Sequence, residues 1–144
     1  MSKFDGKTTM FVYGTLMKDF GNERVISMFP HENYKAKVSN KEMYSVHGAF
    51  PALVEGNHEY FGELIVFGDG VDHDHLYDNM DHLEGYRASD PASSMYLRVP
   101  VTVEVDGEQV NTEVYLWNRP TDNLWYIDPE KYPSYREFVA ERSA

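Results

Sequence analysis

The chain has 144 residues, with 13 Lys and Arg against 24 Asp and Glu, a formal net charge of −11. Its 42% hydrophobic and 15% aromatic content excludes an intrinsically disordered chain. The acidic balance repels a phosphate backbone and an anionic bilayer, so neither nucleic acid nor membrane is an expected partner. The absence of cysteine excludes disulfides, Cys-ligated zinc, iron–sulfur clusters and a thiol nucleophile.

No apolar run approaches the roughly 18–20 residues of a spanning helix. The start at Met1-Ser2-Lys3 has no apolar stretch behind it, so the expected location is cytoplasmic. Repeats and linkers are not visible, and 1–144 reads as one domain with 118–144 as a C-terminal arm. Thr8 to Tyr13 is rich in β-branched and aromatic residues and reads as a strand ended by Gly14. Glu23 to Phe29 follows Asn22, a good N-cap, and reads as a short helix stopped by Pro30. Tyr34 to Val54 alternates loosely and predicts two or three short strands around Gly48 and Pro51. Glu59 to Phe67 reads as a strand interrupted at Gly62. Helical signal returns at Asp72 to Glu84, where Leu76, Met80 and Leu83 form one apolar stripe. Val99 to Val105 and Val110 to Trp117 flank Asp106-Gly107, a hairpin turn signal. A last helix is expected over Ser134 to Ala144, with Trp125-Tyr126-Ile127 packing the arm onto the rest. Many short strands with two or three helices predict a compact α+β fold with a strongly curved sheet, not a βαβ series.

Glu84 lies four residues after Met80, in phase with the stripe, and Gly85 is suited to end the helix in a left-handed conformation. A carboxylate at the buried edge of a helix C-terminus has a raised pKa, the condition for a general base near neutral pH. A solvated last-turn glutamate is the other reading of the same pattern. Tyr13-Gly14-Thr15-Leu16 runs from a strand into a glycine turn whose successive N–H groups can cradle a carboxylate. An ordinary strand-to-helix turn that needs Gly for its backbone geometry is the other reading of the same residues. Tyr115 lies on an alternating strand, on the opposite face from Val114 and Leu116.

The His and Asp residues between Asp72 and His82 resemble metal ligands by type. Asp72 and Asp74 also suit a helix start, and His75 and His82 are two turns apart, too far to chelate as an i, i+4 pair. No functional metal is expected. Ser93-Ser94 lacks nucleophile-elbow glycines, and no phosphate-binding glycine loop appears.

In order, the chain carries Phe11-Val12-Tyr13-Gly14-Thr15-Leu16, Gly21-Asn22, Gly48-Ala49-Phe50-Pro51-Ala52-Leu53 and Gly62-Glu63-Leu64. Then come Met80-Asp81-His82-Leu83-Glu84-Gly85-Tyr86, Tyr96-Leu97-Arg98-Val99 and Val114-Tyr115-Leu116-Trp117. This order resembles the γ-glutamylcyclotransferase-like superfamily, in its γ-glutamylamine cyclotransferase and butirosin-type branch, over roughly Thr9 to Trp117. The resemblance implies a small mixed, barrel-like sheet with helices against it. It implies Glu84 as the acid/base residue, and Gly14, Thr15 and Leu16 as the amides that hold a substrate α-carboxylate. It implies that Tyr13 and Tyr115 line the pocket. The implied partner is a small-molecule γ-glutamyl substrate, cleaved to 5-oxoproline and a free amine or amino acid with no metal or organic cofactor. The substrate carries its own nucleophile, the α-amine. The enzyme then has to fold it so that amine and carbonyl meet, an effect worth several kcal/mol. One carboxylate with a pKa of about 6–7 can take the ammonium proton and return it to the leaving amine.

Two features depart from the pattern. The loop after Leu16 reads Met17-Lys18-Asp19-Phe20, and 118–144 carries no placeable motif. A non-catalytic protein that binds or sequesters a small molecule on the same fold is the alternative function, and an enzyme for a different amide or nucleotide-like ligand is a third.

Overall fold

The computed structural model describes residues 4, 7–14, 31–48, 50–68, 73–87 and 89–142. The helix expected at Glu23 to Phe29, and Thr15 and Leu16 of the anion-binding turn, lie outside them. In chain order the described elements are β1 (Thr9–Val12), β2 (His31–Val46), β3 (Phe50–Glu55), β4 (His58–Phe67) and α1 (His73–Glu84). They continue with a 3-10 turn (Pro91–Ser93), β5 (Tyr96–Val105), β6 (Glu108–Trp117), β7 (Trp125–Ile127) and α2 (Tyr135–Arg142).

β2 organises the sheet. It is 16 residues long where shorter strands are expected, because partners lie along it from end to end. β3 and β4 both run antiparallel to it, β3 against Lys41 to Val46 and β4 against His31 to Lys41. Together they act as one broken strand along the length of β2. The register slips between Val38 and Lys41, and Asn40 there takes φ 58°, so β2 bends without ending. β5 and β7 also pair with β2, through Lys37–Val38 and Met43–Ser45.

The seven strands form one strongly curved, unclosed α+β sheet in the order β1-β4-β2-β5-β6, with β3 and β7 on β2. The ladders between these strands are antiparallel, and parallel pairing among the described residues is confined to the bridge between Phe61 and Ser134. Curvature brings the outer strands β1 and β6 together, where Thr9 Oγ1 meets Thr112 Oγ1 at 2.7 Å. β5 and β6 form the hairpin expected from Asp106-Gly107, whose φ values of 53° and 81° suit a turn that matches strand twist.

β4 is continuous through Gly62. That residue serves close approach instead of interruption: a Cβ there would lie 2.4 Å from the Val12 carbonyl oxygen and 2.7 Å from Phe11 Cζ. The interior holds Met10, Phe11, Val38, Met43, Leu64 and Ile65, all at 1% exposure or less. Tyr60 is fully buried, and its hydroxyl donates to the Ile127 carbonyl at 2.7 Å, tying β4 to β7. Ser134 caps α2. Its Oγ accepts from Arg136 N–H at 3.2 Å and contacts the Glu137 carboxylate, three residues on. No described helix is long and apolar enough to cross a membrane.

Gly62→Ala forces the β1 backbone away from β4. It is expected to cost about 1–3 kcal/mol of stability, the scale of overpacking, read as a lower urea midpoint with an unchanged slope.

Candidate active site

α1 buries Leu76 and Met80 completely, as the stripe predicts. Its end is a double-bonded cap: Tyr86 N–H donates to Asp81 C=O at 2.9 Å and Gly85 N–H to His82 C=O at 3.3 Å. Gly85 has φ 68°, a conformation that costs glycine little and a residue with a Cβ considerably more. Glu84 is therefore the last helical residue, with its backbone held by the bonds on either side of it. The inward side-chain direction expected for Glu84 lies outside what the structure describes, as does the side chain of Leu83.

Antiparallel register places Arg98 of β5 directly opposite Tyr115 of β6, so both project from one face of the hairpin. α1 lies over that face. Arg98 presents Nε and Nη2 to the two Asp81 carboxylate oxygens at 3.0 and 3.4 Å, and Nη1 to Glu113 at 2.7 Å. Its guanidinium lies 4.4 Å from the Tyr77 ring centroid and 5.9 Å from that of Tyr86. Burial opposes the Arg98 charge, but the Glu113 and Asp81 carboxylates outweigh it and raise its pKa above the ordinary value. Burial, then the Glu113 charge, pushes the Tyr77 hydroxyl up to about 12, so it is neutral at ordinary pH.

Tyr115 is 3% exposed although Val114 beside it is fully buried, because the end of β6 is covered on both faces. Its hydroxyl donates to Asp81 Oδ1 at 2.5 Å, one helical turn before Glu84. Its carbonyl accepts from the Tyr13 hydroxyl, also at 2.5 Å. Tyr115 thus joins the end of β1, where Tyr13 and Gly14 sit, to the last turn of α1. Gly14 is buried against β3, and a Cβ there would fall 2.5 Å from Pro51 Cγ. The Pro51 carbonyl accepts from the Tyr96 hydroxyl at 2.7 Å.

Of the residues singled out in the sequence, the structure joins Tyr13, beside Gly14, directly to Tyr115, and joins Tyr115 to Asp81, three residues before Glu84. The sequence alone gives no role to Arg98, Tyr96, Tyr77 and Glu113, and offers Asp81 only as one of the metal-ligand types between Asp72 and His82. A signal existed: counting outward from the Asp106-Gly107 turn puts Arg98 opposite Tyr115, and Tyr77 and Asp81 share a helix face at i, i+4 spacing. Among the described residues no three His, Asp or Glu side chains gather to hold a metal, and the Asp81 carboxylate is engaged by Arg98 and Tyr115. A separate groove of about 950 Å³ lies between β4 and α2. Its Glu63 is already bound by Arg136 at 3.1 Å and Asn33 at 2.9 Å.

The family profile described as gamma-glutamyl cyclotransferase, AIG2-like, matches residues 10–135. No curated protein matches the chain. Among solved structures, the chain is similar to the Arabidopsis thaliana protein At3g28950.1, with 23% identity, TM-score 0.66, and coverage of 99% of this chain and 81% of that one. It is similar to c4763, a uropathogenic E. coli-specific protein, with 13% identity, TM-score 0.65 and coverage of 93% and 96%. It is similar also to the uncharacterized protein PH0828 of Pyrococcus horikoshii, with 15% identity, TM-score 0.64 and coverage of 94% and 96%. At these identities the structural likeness shows the fold.

Gly14→Ala sets its new methyl against the Pro51 ring. A melting temperature lowered by an amount equivalent to about 1–3 kcal/mol is expected, and an unchanged one would mean that β3 yields freely.

Proposed function

The chain belongs to the gamma-glutamyl cyclotransferase, AIG2-like family, and from that membership we propose that it cleaves a γ-glutamyl amine or peptide by intramolecular cyclisation. In this reading the substrate α-carboxylate lies on the N–H groups of Gly14, Thr15 and Leu16. Glu84 takes a proton from the α-ammonium, and the freed amine attacks the γ-carbonyl carbon. A five-membered ring closes as the amide C–N bond breaks. Glu84 then returns its proton to the departing nitrogen, and the second proton shed by the ring nitrogen follows the same route, giving 5-oxoproline and a free amine in its ammonium form. Apart from the proton that Glu84 carries, every bond made or broken belongs to the substrate, so the reaction needs no nucleophilic side chain such as cysteine.

The observation that carries the reading is the double role of Tyr115. Its carbonyl holds Tyr13, next to the glycine turn, and its hydroxyl holds Asp81, one turn before Glu84. Carboxylate cradle and acid/base residue then have a common support, as a reaction needing fixed separation between them requires.

Incubation with a panel of γ-glutamyl amines and peptides, followed by mass spectrometry, is expected to yield 5-oxoproline. Glu84→Gln keeps shape and hydrogen bonding but cannot accept a proton. It is expected to bind substrate nearly as well and to lose on the order of 10²-fold or more in turnover. The wild-type rate should fall as pH drops through the Glu84 pKa, since the protonated acid is no base. Near wild-type turnover by Glu84→Gln would defeat the mechanism. Binding of γ-glutamyl compounds with no 5-oxoproline from the wild type would leave a binding protein instead.

Tyr115→Phe removes one hydrogen bond to Asp81 while keeping the ring. Turnover is expected to fall roughly tenfold, with a smaller proportional loss of stability, since a single hydrogen bond contributes about 0.5–1.5 kcal/mol. A wild-type rate would reduce Tyr115 to a packing residue.

A further inference from the structure

The Tyr96-Leu97-Arg98 motif has no part in the chemistry above, yet its two long side chains reach toward both halves of the site. Tyr96 and Arg98 are two residues apart on β5 and so project from the same face. Arg98 binds both oxygens of Asp81 and lies near the Tyr86 ring. Asp81 and Tyr86 are the two ends of the outer, wider-spanning backbone bond in the cap that closes α1 around Glu84 and Gly85. One guanidinium therefore holds that turn from its first residue to its last. The segment beyond is tied back as well, because Met95 N–H, one residue before β5, donates to the Gly85 carbonyl at 3.1 Å.

Tyr96 acts at the other side. It is 5% exposed, and its hydroxyl fixes the Pro51 carbonyl. The Pro51 ring occupies the space that a side chain at Gly14 would need. Pro51 has no N–H with which to anchor itself, and the described pairing of β3 is with β2, so the Tyr96 bond supplies a second hold on this edge segment.

We propose that Tyr96 and Arg98 are positioning residues that together set the separation between the glycine turn and Glu84. The proposal rests on the reading that these two features form the active site. Arginine is required in place of lysine because a planar fork meets Asp81 side-on while a third nitrogen serves Glu113, and a single ammonium cannot hold both in that geometry. A tyrosine hydroxyl is required because it must reach a carbonyl on another strand.

The test uses Arg98→Lys and Tyr96→Phe in the full chain. Thermal melts confirm folding, steady-state kinetics are run on any γ-glutamyl amine the wild type processes, and the Glu84 side-chain carboxyl is titrated by carbon NMR. Arg98→Lys is expected to move the Glu84 titration midpoint and to lower kcat roughly ten- to hundredfold, with KM within about twofold. Tyr96→Phe is expected to raise KM by about threefold or more while the Glu84 midpoint stays put. Loss of melting temperature with wild-type kinetic constants and an unmoved midpoint would make both residues ordinary packing and overturn the proposal. If the wild type processes no γ-glutamyl compound, the proposed reaction fails by itself. The Glu84 midpoint then decides alone: a shift in Arg98→Lys supports positioning, and none overturns it.

Discussion

The sheet depends on the ability of β2 to bend without ending. Its 16 residues hydrogen-bond to β3, β4, β5 and β7, so whatever direction β2 takes is imposed on four neighbours. A straight strand of this length would hold β1 and β6 far apart at opposite sides of an open sheet. The left-handed Asn40 and the register slip beside it turn the second half of the strand away from the first. The sheet curls, and its two outer strands come close enough for Thr9 and Thr112 to share a hydrogen bond.

That curl makes a site possible. Tyr13 and Tyr115 are 102 positions apart in the chain and meet because β1 and β6 do. Once they meet, α1 has a polar seam to rest on as well as an apolar one. Leu76 and Met80 bury on one side while Tyr77 and Asp81 face Arg98 and Tyr115 on the other. The ion pair is not a large source of stability by itself, since desolvation of a partly buried pair offsets much of the attraction. Its geometric consequence is greater: a bidentate guanidinium allows the last turn of α1 one arrangement instead of several.

Much of the framework around the candidate site is legible in the sequence because its residues carry local signals. Gly85 after a helical stripe marks a helix end, and a Gly14 after a β-branched run marks a turn. The Asp106-Gly107 turn determines every cross-strand pair in the β5–β6 hairpin by simple counting. What escaped was the role of Asp81. In sequence it stands beside a histidine in an acidic stretch and looks like a ligand or a surface charge. Its role exists only once a hairpin 17 residues away has been laid against its helix.

The length of β2 escaped for a related reason. Its alternation is loose because it changes partners midway, and a propensity argument places breaks at such points. Gly62 reads as an interruption in one strand until the backbone of another is seen to pass 2.4 Å from where its Cβ would be. By itself, the sequence determined the family, the hairpin, the apolar stripe and cap of α1, and the candidate acid at the end of that helix. All of these depend on residues within a few positions of one another or on a recognisable order of motifs. Tertiary structure alone decided the bend in β2, the meeting of β1 with β6, and the clasp of Arg98 on Asp81. Each requires groups far apart in the chain to share a few ångströms, and no local preference encodes that distance.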